Sequence, residues 1–131
     1  MAIQCGHVYV LYSNVAEKEK LIVPAYVFND SKVRVFLINT QLSTFVFTTP
    51  ELAKHALPLK QDTNKVFLTH DSWLCCNEVV GGWSVEEIEE NAAAHRGPID
   101  APTLSAVRVV IGSSRLYSDK EKALIMNQWP L

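Results

Sequence analysis

Along the first forty residues, apolar and polar positions fall into short runs that favour extended backbone. Gly6-His7-Val-Tyr-Val-Leu-Tyr12 is rich in β-branched and aromatic residues behind a glycine and predicts a strand. Ser13 to Lys20 is polar and charged and predicts a loop, with the Glu17-Lys18-Glu19-Lys20 alternation of a solvated turn. Leu21 to Phe28 resumes the β pattern, and Pro24, which cannot donate to a ladder, marks an edge or a bulge. The polar turn Asn29-Asp30-Ser31-Lys32 then leads into Val33 to Asn39, so the two runs form a hairpin. In the later run Val33, Val35 and Leu37 share one face while Arg34, Phe36 and Ile38 share the other. That strand is apolar on both sides, as in a small barrel with something packed outside it. Thr40-Gln41 ends it with two polar side chains.

Ser43 to Thr48 is a short β-like run, and Thr49-Pro50-Glu51 supplies an N-cap threonine, a first-turn proline and an early carboxylate for one or two helical turns to His55. Leu57 to Asn64 reads as a loop. Val66 to Leu68 and Trp73 to Cys76 read as strands around a polar His70-Asp71-Ser72, stopped by Gly81-Gly82. Ser84-Val-Glu-Glu87 is a capping box and predicts a helix to about His95. Its apolar stripe is only Val85, Ile88 and Ala92, with Glu86, Glu87, Glu89 and Glu90 around it, so it belongs on the surface. Those glutamates are either a solvated face or a patch for a basic partner, and the sequence does not choose. Arg96 to Pro102 is an irregular link, and Ser105 to Ile111 reads as a strand with Val107, Val109 and Ile111 inward. A second capping box, Ser118-Asp-Lys-Glu121, opens a C-terminal helix through Gln128 that lays Leu124, Ile125 and Trp129 against the strands.

Together these elements predict a single domain over residues 1–131, mainly β with added helices (β+α). Its expected form is a small, partly open antiparallel barrel with a helical insertion at 80–104 and a C-terminal helix. A doubly wound parallel sheet is disfavoured, because no helices separate the early strands.

Composition narrows the function. The chain has 131 residues, 48% hydrophobic and 20% charged, which suits a globular domain with its own core. A formal net charge of −2 argues against a general nucleic-acid binder, yet residues 1–65 carry seven basic against five acidic residues and 66–131 five against nine. A local basic face in the first half is therefore compatible with the total. No apolar run approaches the roughly 20 residues of a membrane span, and a strand pattern opens the chain, so a cytoplasmic location is expected. Cys5, Cys75 and Cys76 are an odd count and read as reduced, buried thiols.

Phosphate-loop, dinucleotide and zinc-finger spacings are absent, as is a nucleophile elbow. His70-Asp71 would diverge on a strand, so it reads as a turn pair and not as a metal site. No metal or cofactor is expected. What remains is polar groups at strand ends, Thr40, Gln41, Asp71 and Ser72, with Lys18, Lys20 and Lys32 in adjoining loops. A hydroxyl beside a cation suits phosphodiester chemistry, one group orienting a ribose 2′-hydroxyl and the other stabilising the phosphorane. The same groups serve equally as hydrogen bonders at a hairpin end.

The order of these motifs resembles the PemK/MazF-like toxin family. Gly6-His7-Val8-Tyr9 is similar to its glycine-led opening strand, and Val23-Pro24-Ala-Tyr-Val-Phe-Asn29-Asp30 resembles its second strand of Arg-Pro, four apolar residues and an Asn-Asp turn. Leu37-Ile-Asn-Thr40-Gln41 is similar to the third strand with its functional threonine, Asp71-Ser72-Trp-Leu to the opening of a later core strand, and Ile111-Gly112 with the capped helix from Ser118 to the closing segment. The resemblance covers most of the chain. It implies an SH3-like barrel, a homodimer with a small antitoxin partner, and metal-independent cleavage of single-stranded RNA. Carried over by position, Thr40 and Lys20 would be catalytic, and Lys18, Gln41 and Lys32 would hold substrate. The chain departs from the pattern in three places. The arginine that precedes the proline is Val23 here, the glycines of the preceding loop are replaced by Asn14 to Lys20, and 80–104 has no counterpart. These departures leave open a second reading, a non-catalytic relative serving as a protein-binding or regulatory module.

Overall fold

The computed structural model describes residues 3–13, 18–28, 31–90 and 95–130, without the side chains of Tyr12, Ser13 and Lys18. The expected turn residues Asn29 and Asp30, the loop Asn14 to Glu17 and the helix continuation 91–94 lie outside the described residues. The described strands are β1 (His7–Ser13), β2 (Lys18–Val27), β3 (Lys32–Asn39), β4 (Ala56–Leu59), β5 (Ser72–Ser84) and β6 (His95–Pro98). The helices are α1 (Thr44–Thr48), α2 (Pro50–Ala53), α3 (Val85–Glu89), α4 (Ala101–Gly112) and α5 (Asp119–Gln128). The strands form one antiparallel sheet in the order β4-β5-β3-β2-β1-β6, curled into a half-barrel. No described helix is long and apolar enough to cross a membrane.

β3 is central and buried on both faces, as its residue pattern requires. Val33 and Val35 pack with Tyr9, Leu11, Ile22 and Ile88 on one face. Phe36 and Ile38 join the larger core on the other, with Val23, Leu74, Val107, Ile111, Ile125 and Trp129. β2 lies between β1 and β3, so Pro24 is not on an edge; it sits where the β2–β3 register shifts, the bulge its missing N–H permits. α5 is fastened to the hairpin by Gln128, whose side-chain oxygen accepts the Val27 N–H at 2.7 Å and whose amide donates to the Val27 carbonyl at 3.2 Å. Leu124 packs against the same core that buries Ile125 and Trp129, as the C-terminal helix was expected to arrange.

Local expectations are corrected at several places. Ser13 to Lys20 is not all loop: β2 starts at Lys18 and pairs with Ser13 of β1. Ser43 to Thr48 is helical: the Ser43 hydroxyl accepts the Val46 N–H at 3.2 Å, and this local cap wins because the run has no strand to pair with. Leu57 to Leu59, expected within a loop, belongs to β4, which pairs with Ser72 to Cys75, whereas Val66 to Leu68, expected as a strand, is not one and Val66 and Phe67 lie in a turn. Gly81-Gly82 does not stop β5. The two glycines together oppose Arg34, between the pairs Val33↔Trp83 and Val35↔Val80, and a Cβ at Gly81 would lie 3.0 Å from Arg34 Nη1. Ser105 to Ile111 is not a strand but the body of α4. Asp100 caps this helix, accepting the Thr103 N–H at 3.3 Å, and Pro102 lies in its first turn. Its inward residues are Thr103, Val107 and Ile111 at helical spacing, while Val109 is 71% exposed.

Of the region 80–104, the described helical part is Val85–Glu89, with both capping-box bonds present (3.1 and 3.2 Å) and Ile88 buried. Residues 80–84 belong to β5, and 95–98 form the edge strand β6 in place of an irregular link.

A polar tie joins α2 to the end of α4. The buried His55 ring places Nδ1 2.7 Å from the Glu51 carbonyl and Nε2 2.6 Å from Ser114 Oγ. The neutral tautomer in which Nδ1–H donates to the carbonyl and Nε2 accepts from the hydroxyl satisfies both contacts, while Ser114 Oγ also accepts the Leu116 N–H at 3.0 Å. Burial lowers the His55 pKa from 6.5.

Two predictions follow from the packing. Ile111→Ala should cost about 2–5 kcal/mol and Val109→Ala within about 0.5 kcal/mol, read from denaturant midpoints; a strand with both residues inward would make the two costs similar. Because folded His55 takes up its proton less readily than the unfolded side chain, its contribution is complete above pH 6.5 and lost as pH falls through the lowered value. The denaturation midpoint should therefore fall below pH 6.5, and His55→Gln should flatten that slope.

Candidate functional site

β5 carries more residues than β3 can pair. Leu37 is opposite Cys75 and Val35 opposite Val80, so two steps along β3 correspond to five along β5. Phe36 therefore faces a bulged segment, Cys76 to Val79. The local sequence explains where the excess is placed: Asn77 and Glu78 interrupt an apolar run and tolerate solvent where the ladder opens.

Beside this bulge is a groove of about 270 Å³, lined by Leu37, Asn39, Cys75, Asn77, Glu78 and Val80 from the sheet. Gln41 to Ser43 and Val46 of α1 close its other side. α1 buries none of its residues and leaves Phe45 and Phe47 70% and 69% exposed. The Asn39 amide donates to Cys75 Sγ at 3.5 Å. Burial pushes the Cys75 thiol up from its ordinary value, Glu78 adds to the rise, and the Asn39 bond and the Lys20 ammonium oppose it. Lys20 and Glu78 thus both act on the groove floor.

The expected site residues are only partly brought together. Thr40 is exposed just past the end of β3, and its hydroxyl makes no hydrogen bond among the described residues. Gln41 lines the groove. Continuing the β2–β3 register two residues beyond Ile22↔Leu37 sets Lys20 opposite Asn39, the neighbour of Thr40. Lys18 lies farther along β2, its side chain outside the description. Lys32 does not join them: it opens β3, eight positions before Thr40, roughly 26 Å away at strand rise. Val23 is fully buried in the larger core.

Asp71 and Ser72 lock a turn. Asp71 Oδ1 accepts the Gln61 N–H at 2.9 Å and the Ser72 hydroxyl donates to the His70 carbonyl at 3.1 Å. His70 Nδ1 lies 2.8 Å from the Thr69 hydroxyl. Among the described residues no group of three or more His, Cys, Asp or Glu is placed to hold a metal ion. Sequence reasoning missed Asn39, Asn77, Glu78 and α1; the polar break at Asn77-Glu78 was the available signal.

No family model matches the chain, and no curated protein matches it.

The opposed charges make the groove testable through its thiol. Lys20→Met should slow alkylation of Cys75 by iodoacetamide and Glu78→Gln should speed it, each about twofold, as expected for charges acting across a wet groove. Cys5 and the buried Cys76, whose thiols burial also pushes up, should stay unreacted until the protein unfolds.

Proposed function

We propose that this chain is a PemK/MazF-like toxin that cuts single-stranded RNA at the end of β3. What supports the reading is the exposed Thr40 just past the end of β3, the amide-lined groove of Asn39, Gln41 and Asn77 that begins beside it, and the Lys20 charge that acts on Cys75 in that groove. Thr40 orients the ribose 2′-hydroxyl for attack on the adjacent phosphorus; the 2′ proton passes to water, the P–O5′ bond breaks, and the 5′-oxygen leaves with a proton from solvent, giving a 2′,3′-cyclic phosphate and a 5′-hydroxyl. Lys20 offsets the charge that builds on the phosphorane. Gln41, Asn39 and Asn77 offer donors and acceptors to unpaired bases, and Lys18, farther along β2, adds a charge for the phosphate backbone. Lys32 is too remote for this site. A homodimer, a small antitoxin partner and a cytoplasmic location accompany the reading as part of the same proposal.

One observation favours the second reading, a non-catalytic relative that binds a protein partner. The position that the resemblance gives to arginine is Val23, and that side chain faces the core. Among the described side chains, Lys20 is the cation that acts on the groove's Cys75, and none of the groove's lining residues is basic.

Cleavage of fluorogenic single-stranded RNAs of varied sequence separates the two. Under the first reading the purified chain cuts, Thr40→Ala lowers the rate about a hundredfold or more, and Lys20→Met lowers it by about 10²–10³. Lys32→Met stays within about twofold of the unaltered protein. RNAs left uncut by the folded protein, or cleavage indifferent to Thr40→Ala, would overturn the nuclease reading.

A further inference from the structure

A second group of chemistry-bearing side chains lies at the β6 edge of the sheet. His7 on β1 and His95 on β6 place Nδ1 and Nε2 2.9 Å apart, with ring centroids at 5.1 Å and 25° between the planes. Tyr9 stacks on the His95 ring at 4.8 Å and 24°. The sheet builds this arrangement through an irregular register. Val8 is opposite Gly97 but Tyr9 is opposite His95, so Arg96 is an extra residue and His95 takes the place facing Tyr9. Gly97, at φ +100°, accommodates the distortion. His7 is two residues before Tyr9 and shares its face, which brings the two imidazoles together. Both rings are half-buried and so keep access to solvent.

We propose that His7 and His95 form a two-imidazole site for a divalent first-row transition ion of the Zn²⁺ or Ni²⁺ type, the remaining positions being filled by water. Imidazole nitrogen suits these ions. Bonds of about 2.0–2.1 Å from each nitrogen to one tetrahedral ion set the nitrogens about 3.3 Å apart, so the pair opens by about 0.4 Å and the rings turn to aim their lone pairs at the ion. One ring donates the shared N–H in the metal-free pair. On binding, that ring passes to its other tautomer, its proton leaving to solvent and one returning at the far nitrogen, so each imidazole stays neutral and offers a lone pair. Tyr9 holds the His95 plane and has its own hydroxyl engaged by the Gln4 N–H at 3.2 Å. The bound ion ties the four-residue edge strand to β1. It takes no part in the chemistry proposed at Thr40, so the fate of either proposal leaves the other standing.

The test is titration of the full chain with ZnCl2 near pH 7.5, followed by calorimetry and by the imidazole proton signals. One ion per chain is expected, with the His7 and His95 signals shifting together. His7→Gln or His95→Gln should weaken binding about a hundredfold or more, because a chelate becomes a single contact. His70→Gln, on an exposed turn, should bind like the unaltered chain. Zinc should raise the melting temperature of the unaltered protein and not that of His7→Gln. Absence of saturable binding, or binding that survives both glutamine variants, would overturn the proposal. If His95→Gln fails to fold, His7→Gln and the signals of the unaltered chain decide the matter.

Discussion

β3 must be covered on both faces, and most of the architecture answers that demand. Phe36 and Ile38 on one side and Val33 and Val35 on the other are all buried, which a single exposed sheet cannot provide. α4, α5 and the segment around Leu68 fill one side through Val107, Ile111, Ile125 and Trp129. Trp129 meets Phe36 edge-on, with centroids at 5.8 Å, and its indole N–H donates to the Leu104 carbonyl at 3.0 Å, so the end of the C-terminal helix reaches both the sheet and α4. The other side is closed by Tyr9 and Leu11 of the curled sheet itself and by Ile88 of a helix barely more than one turn long. That short helix relies on its capping box and on Ile88, because five residues gain little from intrahelical bonds alone.

Two polar ties hold the helical cover in place. Asn64 donates to Asp100 Oδ1 at 2.9 Å and accepts the Asp100 N–H at 3.2 Å, fixing the start of α4 against the segment after β4. His55 fixes its other end through Ser114. Asn64, His55 and Ser114 are buried, so each tie helps to specify one docking angle for α4 where apolar contact alone would leave the helix free to slide. Tyr117 adds a bond from its hydroxyl to the Cys76 carbonyl at 2.5 Å, anchoring the α4–α5 connection to the bulged part of β5.

The sheet was largely legible in the sequence because period-two alternation is a strong signal wherever a strand is long and one residue type dominates each face. β1, the β2–β3 hairpin, the Ser84 capping box and the Ser118 cap follow directly from that alternation and from cap chemistry, although the Glu121 carboxylate accepts the Tyr26 hydroxyl and does not complete the second box. α4 was not legible as a helix, since Val107, Val109 and Ile111 satisfy the strand period while Thr103, Val107 and Ile111 satisfy the helical one. The Asp100 cap and Pro102 were the evidence that should have decided between them. β4 was hidden by its length, four residues with a proline, and α1 by β-favouring residues whose propensity yields to a local cap when no partner strand is available. Thr40, Gln41 and Lys20 could be nominated from strand ends, but their relation to Asn77 and Glu78 depends on a register slip that no local pattern records.

That slip is the link between fold and candidate chemistry. A sheet that curls needs unequal strand lengths across its ladders, and the surplus must go somewhere: Cys76 to Val79 opposite Phe36, Gly81-Gly82 opposite Arg34, and Arg96 between the pairings of Val8 and Tyr9. Surplus residues lose ladder hydrogen bonds, so they are tolerated where side chains are polar, small or solvent-reaching, and they re-aim their neighbours. The first surplus opens the groove between the sheet and Gln41 to Ser43. The second gives Arg34 room to lie along β5, with its guanidinium carbon 5.8 Å from the Phe28 ring centre. The third turns His95 toward His7. Residues that a regular ladder would hold apart are therefore brought into contact by the curvature that the two-sided burial of β3 imposes, and the groups available for chemistry gather at the irregular positions of the sheet.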